Sequence, residues 1–183
     1  MKLHVVDARH NGLHAFHGRE GLPRCSECGA LAEKWNRKYI RIDVPRSMRS
    51  DISITYDGVT VVSEGFVQVV GEARLRGLQF HDVGVGFSVL LSTRRVAFDI
   101  AARGTRFEDL CTMCGQHGSV AGATPAFLRA PIDLAPDEFA WTDVEFGSGD
   151  EKQPLLICGE TAGATLRRGR LRGLEPLGDV RGV

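Results

Sequence analysis

An excess of charge of one sign is missing from this chain. Its 23 Lys and Arg balance 23 Asp and Glu, for a formal net charge of zero. Proteins that hold nucleic acid without sequence preference carry a positive excess, because their affinity comes from neutralising phosphates. Nucleic acid is therefore not the expected partner. Long hydrophobic runs are also missing: no stretch reaches the roughly 18 apolar residues that a membrane helix needs. The opening Met1-Lys2-Leu3-His4-Val5-Val6-Asp7 has no apolar core of a secretory signal, so a cytoplasmic protein with no membrane partner is expected. Motifs of common enzymes are absent too. There is no Gly-x-Ser-x-Gly elbow, no Gly-x-x-x-x-Gly-Lys-Ser/Thr phosphate loop and no His-Glu-x-x-His helix. Nothing recommends a catalytic role, and a non-enzyme is expected.

Cysteines are few but patterned. Four of the five fall in Cys25-Ser-Glu-Cys28-Gly29 and Cys111-Thr-Met-Cys114-Gly115. A Cys-x-x-Cys turn puts two thiolates on one side of a tight loop, and the Gly behind it can take positive φ and close the turn. Two such knuckles facing each other make the four-sulfur cage of one structural zinc, with Cys25, Cys28, Cys111 and Cys114 as ligands and no open position for catalysis. Iron takes the same donors. A disulfide framework, a redox pair or unpaired thiols compete with this assignment. A reducing compartment opposes the first, and the doubling with a trailing Gly opposes the second. Simple zinc ribbons separate their pairs by about 15–20 residues; here residues 29–110 intervene, so the metal would join distant parts of the chain. Cys158, in Pro154-Leu-Leu-Ile-Cys158, reads as a core thiol.

The chain also reads as written twice in outline: an offset of 96 residues pairs Arg74-Leu-Arg-Gly-Leu78 with Arg170-Leu-Arg-Gly-Leu174, and Glu64 with Glu160. Each copy predicts a strand, a helix, a Gly that stops the helix and a second strand. Ser63 is placed to cap the first helix, with Glu64 in its first turn and Phe66, Val69, Val70 and Ala73 on one face. Asp57-Gly58 between Ile52–Tyr56 and Val59–Val62 predicts a hairpin. Phe87–Leu91 and Val96–Ile100 read as a second strand pair, and Tyr39–Asp43 alternates like a strand. The expected class is α+β, mainly antiparallel sheet with few helices. It would be a single domain over 1–183, with pseudo-repeated half-units of about 1–100 and 101–183, each giving one knuckle to a shared zinc-ribbon-like site.

These motifs resemble the double-CXXCG motif proteins of myxobacteria and related bacteria. The likeness rests on Gly21-Leu-Pro23 leading into the first knuckle, on Leu110 leading into the second, and on the closing unit that ends in Leu171-Arg-Gly-Leu174. Members often carry Pro after the first Cys of a knuckle; Ser26 and Thr112 stand there in this chain and leave the sulfur ligands intact. Some members are immunity proteins against a swarm-inhibition toxin. The resemblance implies a binding protein whose partner is a cognate protein toxin; a zinc-ribbon nucleic-acid-binding or regulatory module is the alternative.

Two charged segments suggest surfaces. Asp133 to Glu151 holds seven acidic residues, no basic one, and Phe139, Trp141 and Phe146. Asp137, Glu138, Trp141, Asp143 and Glu145 are the candidate contacts for a basic toxin, against a solvated face whose aromatics point inward. Lys34, Arg37, Lys38, Arg41, Arg46 and Arg49 surround Trp35 and Tyr39, a pattern that can hold single strands but that Glu33 and Asp43 dilute. His10 and His14 have the spacing of a helical metal pair, with Gly12 between them.

Overall fold

The Asp57-Gly58 turn sets the first half. In the computed structural model, which describes residues 2–182, it joins β2 (Ile52–Ile54) to β3 (Thr60–Ser63), with Ile52 opposite Val62. The buried Asp57 carboxylate does more than turn the chain. It accepts the Ala15 and Phe16 amides at 2.8–2.9 Å and the Thr55 hydroxyl at 2.7 Å, and so pins the N-terminal loop. Ser63 ends β3 and caps α1 (Glu64–Glu72), accepting the Phe66 amide at 3.3 Å while Phe66 and Val70 bury. β4 (Leu78–Gly84) and β5 (Phe87–Ser92) complete a four-stranded sheet in the order β2-β3-β5-β4.

Two strand expectations differ from what the chain does. Phe87–Leu91 pairs with β3 and β4, not with Val96–Ile100. Arg95 and Val96 form β6, which runs parallel to β10 in the other sheet. Asp99 then caps a short helix, α2 (Ile100–Arg103), by accepting the Ala102 amide at 2.9 Å. Tyr39–Asp43 forms no strand: Ile40 and Ile42 alternate inward onto the core from an irregular segment, without a ladder.

The second half builds the larger sheet from β1 (Leu3–Val6), β7 (Arg106–Leu110), β8 (His117–Ala121), β9 (Ala126–Leu128), β10 (Phe139–Ser148), β11 (Gln153–Gly159) and β12 (Gly178–Gly182). The order is β7-β8-β10-β11-β1-β12-β9, with β6 beside β10. Its central strands are buried on both faces, and the period-two alternation sends neighbours into different cores. Phe139, Trp141, Leu156 and Cys158 join the core shared with the small sheet; Ala140, Ile157, Leu3 and Val5 join a second core on the far face. A one-turn 3-10 helix, Gly149–Glu151, tips the β10–β11 hairpin. α3 (Glu160–Arg168) follows β11 directly. The architecture is α+β, mostly antiparallel, with three α-helices among the described residues. No helix among them is long and apolar enough to cross a membrane.

The two longer helices are left in the same way. Arg74 and Arg170 both take positive φ (52° and 48°), as do Gly77 and Gly173 (87° and 91°). Neither glycine tolerates a side chain: a Cβ on Gly77 would lie 2.0 Å from the Phe139 carbonyl oxygen, and one on Gly173 2.2 Å from that of Ile52. Each tail crosses to the other half. The Phe139 amide donates to the Arg76 carbonyl at 2.9 Å, and the Ile52 amide to the Arg172 carbonyl at 3.2 Å. The Arg76 guanidinium pairs with Asp137 at 2.9 Å and that of Arg172 with Asp51 at 3.1 Å.

Candidate metal centre

Each knuckle is closed by its own backbone. The Cys25 amide donates to the Ala30 carbonyl and the Gly29 amide to the Cys25 carbonyl, both at 2.9 Å. In the second, the Cys111 amide donates to Gln116 at 2.9 Å and the Gly115 amide to Cys111 at 2.8 Å. Gly29 and Gly115 sit at φ 73° and 70°, where a side chain would strain the turn. The second knuckle tips the β7–β8 hairpin; the first is flanked by a single bridge between Arg24 and Leu31.

The four sulfurs converge. Cys25 and Cys111 lie 3.8 Å apart, Cys28 and Cys114 3.6 Å apart, and all four within 4.8 Å of one another. A tetrahedral ion with metal–sulfur bonds of about 2.3 Å requires sulfurs about 3.8 Å apart, whereas a disulfide requires about 2.0 Å. The cysteines are free, and their spacing fits a metal. Among the described residues this is the one group of His, Cys and carboxylate donors that comes together so.

The local electrostatics favour thiolates and then crowd them. The backbone N–H groups of Cys28 and Glu27 facing its sulfur bring the Cys25 thiol down to about 7. At Cys28 the Ala30 N–H pulls the same way, but desolvation and the Cys114 and Cys25 thiols outweigh it, so the pKa is raised. At Cys111 the Cys114 N–H is likewise outweighed, and its pKa is raised too. A dication relieves this crowding and displaces the remaining protons.

Around the cluster the knuckles are tied to each other and to the β10–β11 tip. Gln116 donates its side-chain amide to the Leu31 carbonyl at 2.9 Å. Arg24 donates to the Gly29 carbonyl at 2.7 Å and pairs with Asp150 at 2.7 Å. Lys34 donates to the carbonyls of Asp150 and Lys152, and Lys152 to that of His117. Nothing in the sequence pattern marks Lys34 and Lys152 as inward-facing; only Trp35 beside Lys34 hints at it.

The acidic segment is built differently from the expected docking face. Trp141 is only 5% exposed, wedged between Trp35 at 4.7 Å and the Arg95 guanidinium at 4.8 Å, while Phe139 and Phe146 are core. β10 is covered on both faces from Phe139 to Thr142, so Trp141 is not an open anchor. Asp137 is held by Arg76, whose hydrogen bond keeps the carboxyl below its usual range. Buried Glu138 accepts the Ala135 amide at 3.2 Å and pairs with Arg94 at 3.6 Å. Asp143 accepts the Phe98 amide at 2.8 Å, and Glu145 the Trp35 indole N–H at 2.5 Å. The carboxylates are largely engaged within the fold.

The basic segment is likewise dispersed: Lys34 turns inward, Lys38 lies over Tyr39, and Arg37 holds Gln79. His10 and His14 lie on no helix; His14 stacks on Tyr56 at 5.2 Å and lies 5.0 Å from His17. Cys158 is fully buried, and burial pushes its thiol up to about 12.

No protein-family model matches this chain, and no curated protein aligns with it.

Proposed function

We propose that this chain is a toxin-binding immunity protein whose two halves are locked by one structural zinc on Cys25, Cys28, Cys111 and Cys114. The observation that carries the reading is the meeting of two Cys-x-x-Cys-Gly knuckles, far apart in the chain, with sulfurs at tetrahedral spacing. That pattern underlies the resemblance to the double-CXXCG family. Function is then binding alone: a preformed surface covers the toxin's working face, and the metal keeps that surface rigid. Among the described residues, three of the six exposed large apolar side chains, Phe107, Leu110 and Met113, lie on or beside the second knuckle, with Leu110 56% and Met113 64% exposed. The reading assigns the contact to them, since buried Trp141 cannot serve. The test is co-expression with toxins encoded beside this gene. Rescue of growth by wild type, lost in Leu110→Asp/Met113→Asp with zinc retained, supports it. Failure of wild type to bind or neutralise any neighbouring toxin overturns it.

The same reading treats the halves as one unit used twice. Its support is the matched exit from α1 and α3, residue for residue at the 96-residue offset, with each tail seated on the other half's incoming strand.

A further inference from the structure

Two lysines are buried with no carboxylate within ion-pair distance, although Glu145, Asp57 and Asp150 lie near enough to Lys34 to favour its charge. Lys34 is 9% and Lys152 7% exposed. Among the described residues every ion pair within 4.0 Å comes from an arginine. The ammonium groups instead meet backbone carbonyls: Lys34 meets two and Lys152 one. An ammonium has three N–H donors, so Lys34 keeps one free and Lys152 two. A buried cation without an anion is costly, and desolvation brings Lys34 down to about 8.

Both side chains line one cavity of about 380 Å³, within the size range of small-molecule sites. His117 lines it too, and its buried Nδ1 has no hydrogen-bond partner. Trp35 and Phe107 supply flat apolar walls. Asp143, Glu145 and Asp150 also line the cavity; the first two each have one oxygen held within the fold, and Asp150 is paired with Arg24. Their charge disfavours a ligand of several negative charges and leaves room for one.

We propose that this cavity is a binding site for a small organic monocarboxylate with a flat apolar body, the carboxylate meeting Lys34, Lys152 and His117 and the body lying between Trp35 and Phe107. The site does not rest on the toxin-binding reading, although Phe107 serves in both: it needs the two ammonium groups, His117 and the walls of the cavity. The carboxylate supplies a directly bonded counter-charge, which neither lysine has within the fold, and the charge-assisted hydrogen bonds use the spare donors.

The test is an NMR titration of the zinc-loaded full chain with benzoate, with its neutral isostere benzamide and with trianionic citrate. The expected result is one saturable site for benzoate, bound at least tenfold more tightly than benzamide or citrate, with shifts at Trp35, Phe107 and His117. Lys152→Met should weaken benzoate at least tenfold while zinc content and far-UV dichroism stay unchanged. Should that variant fail to fold, the wild-type comparison decides by itself. Equal binding of benzoate and benzamide, no binding of benzoate, or undiminished binding by a folded Lys152→Met overturns the proposal.

Discussion

The two knuckles are nearly superimposable in their hydrogen bonds but are held by different means. The second tips a ladder in which Phe107 faces Val120 and Leu110 faces His117, so its geometry follows from strand pairing. The first lies in the stretch between β1 and β2, which contains no strand or helix element. What fixes it comes largely from the other half: the Gln116 side chain on Leu31, Asp150 on Arg24, and two carbonyls of the β10–β11 tip on Lys34. One knuckle is thus organised by its own half before the metal arrives, and the other is recruited to it. Chain order and metal binding are coupled on one side of the site far more than on the other.

The largest expected effect is loss of a ligand. Cys111→Ser should abolish bound metal, measured by elemental analysis, and lower stability by several kcal/mol. Chelation of wild type should sharpen the contrast: amide exchange should rise first across residues 19–50 while the β7–β8 ladder stays protected. Simultaneous loss of both would erase the distinction. Next come the paired glycines. Gly77→Ala and Gly173→Ala each drive a methyl into a backbone carbonyl, and each should cost about 3 kcal/mol in chemical denaturation. A large cost at one and none at the other would count against the proposal that the two exits are equivalent.

His4 should matter less, and only in acid. It is 3% exposed and neither ring nitrogen has a partner. Desolvation, with Arg167 and Lys2 adding to it, lowers its pKa below 6.5. The unfolded chain therefore takes up the proton first. The neutral form's advantage is complete above 6.5 and is lost as pH falls toward the folded value. His4→Leu should flatten the stability profile between pH 7 and 5, seen in denaturant midpoints. The smallest effects belong to the crossing ion pairs. Arg76→Ala and Arg172→Ala should each move the denaturant midpoint only slightly, because both guanidinium groups are exposed and screened by solvent. Arg172→Ala should cost more, since Asp51 is the more buried acid. Despite desolvation, Arg172 and Ser63 hold Asp51 below 3.8, so its contribution is present above that pH and fades below it.

What could be read from the sequence was local or covalently patterned. The four ligand positions, the Ser63 cap and the Asp57-Gly58 hairpin each depend on residues within a few positions of one another. The irregular segment around Ile40 and Ile42 misled because alternation reports burial, and burial does not require a ladder. Val96–Ile100 misled because Asp99 stops a strand by capping α2, a signal that apolar content hides. The acidic segment misled because charge along a chain says nothing about which distant arginines will meet it, as Arg94 meets Asp133 across 39 residues and Arg76 meets Asp137 across 61. The inward turn of Lys34 and Lys152 is tertiary altogether: it follows from the approach of the β10–β11 tip to both knuckles.

The placement of β1 sets a timetable for synthesis. Leu3–Val6 pairs with Leu156–Gly159 and with β12, so this strand waits for partners made about 150 residues after it. At translation rates of about 5–20 residues per second, that partner emerges about 8–30 s later. The four-stranded sheet, whose pairings all fall within residues 52–92, can meanwhile assemble on the ribosome. The first cysteine pair waits too, until residue 114 has left the exit tunnel, and during that interval Cys25 and Cys28 are two unpaired thiols in an unfinished loop. A metal that requires all four sulfurs can be captured only after the β7–β8 hairpin has been made.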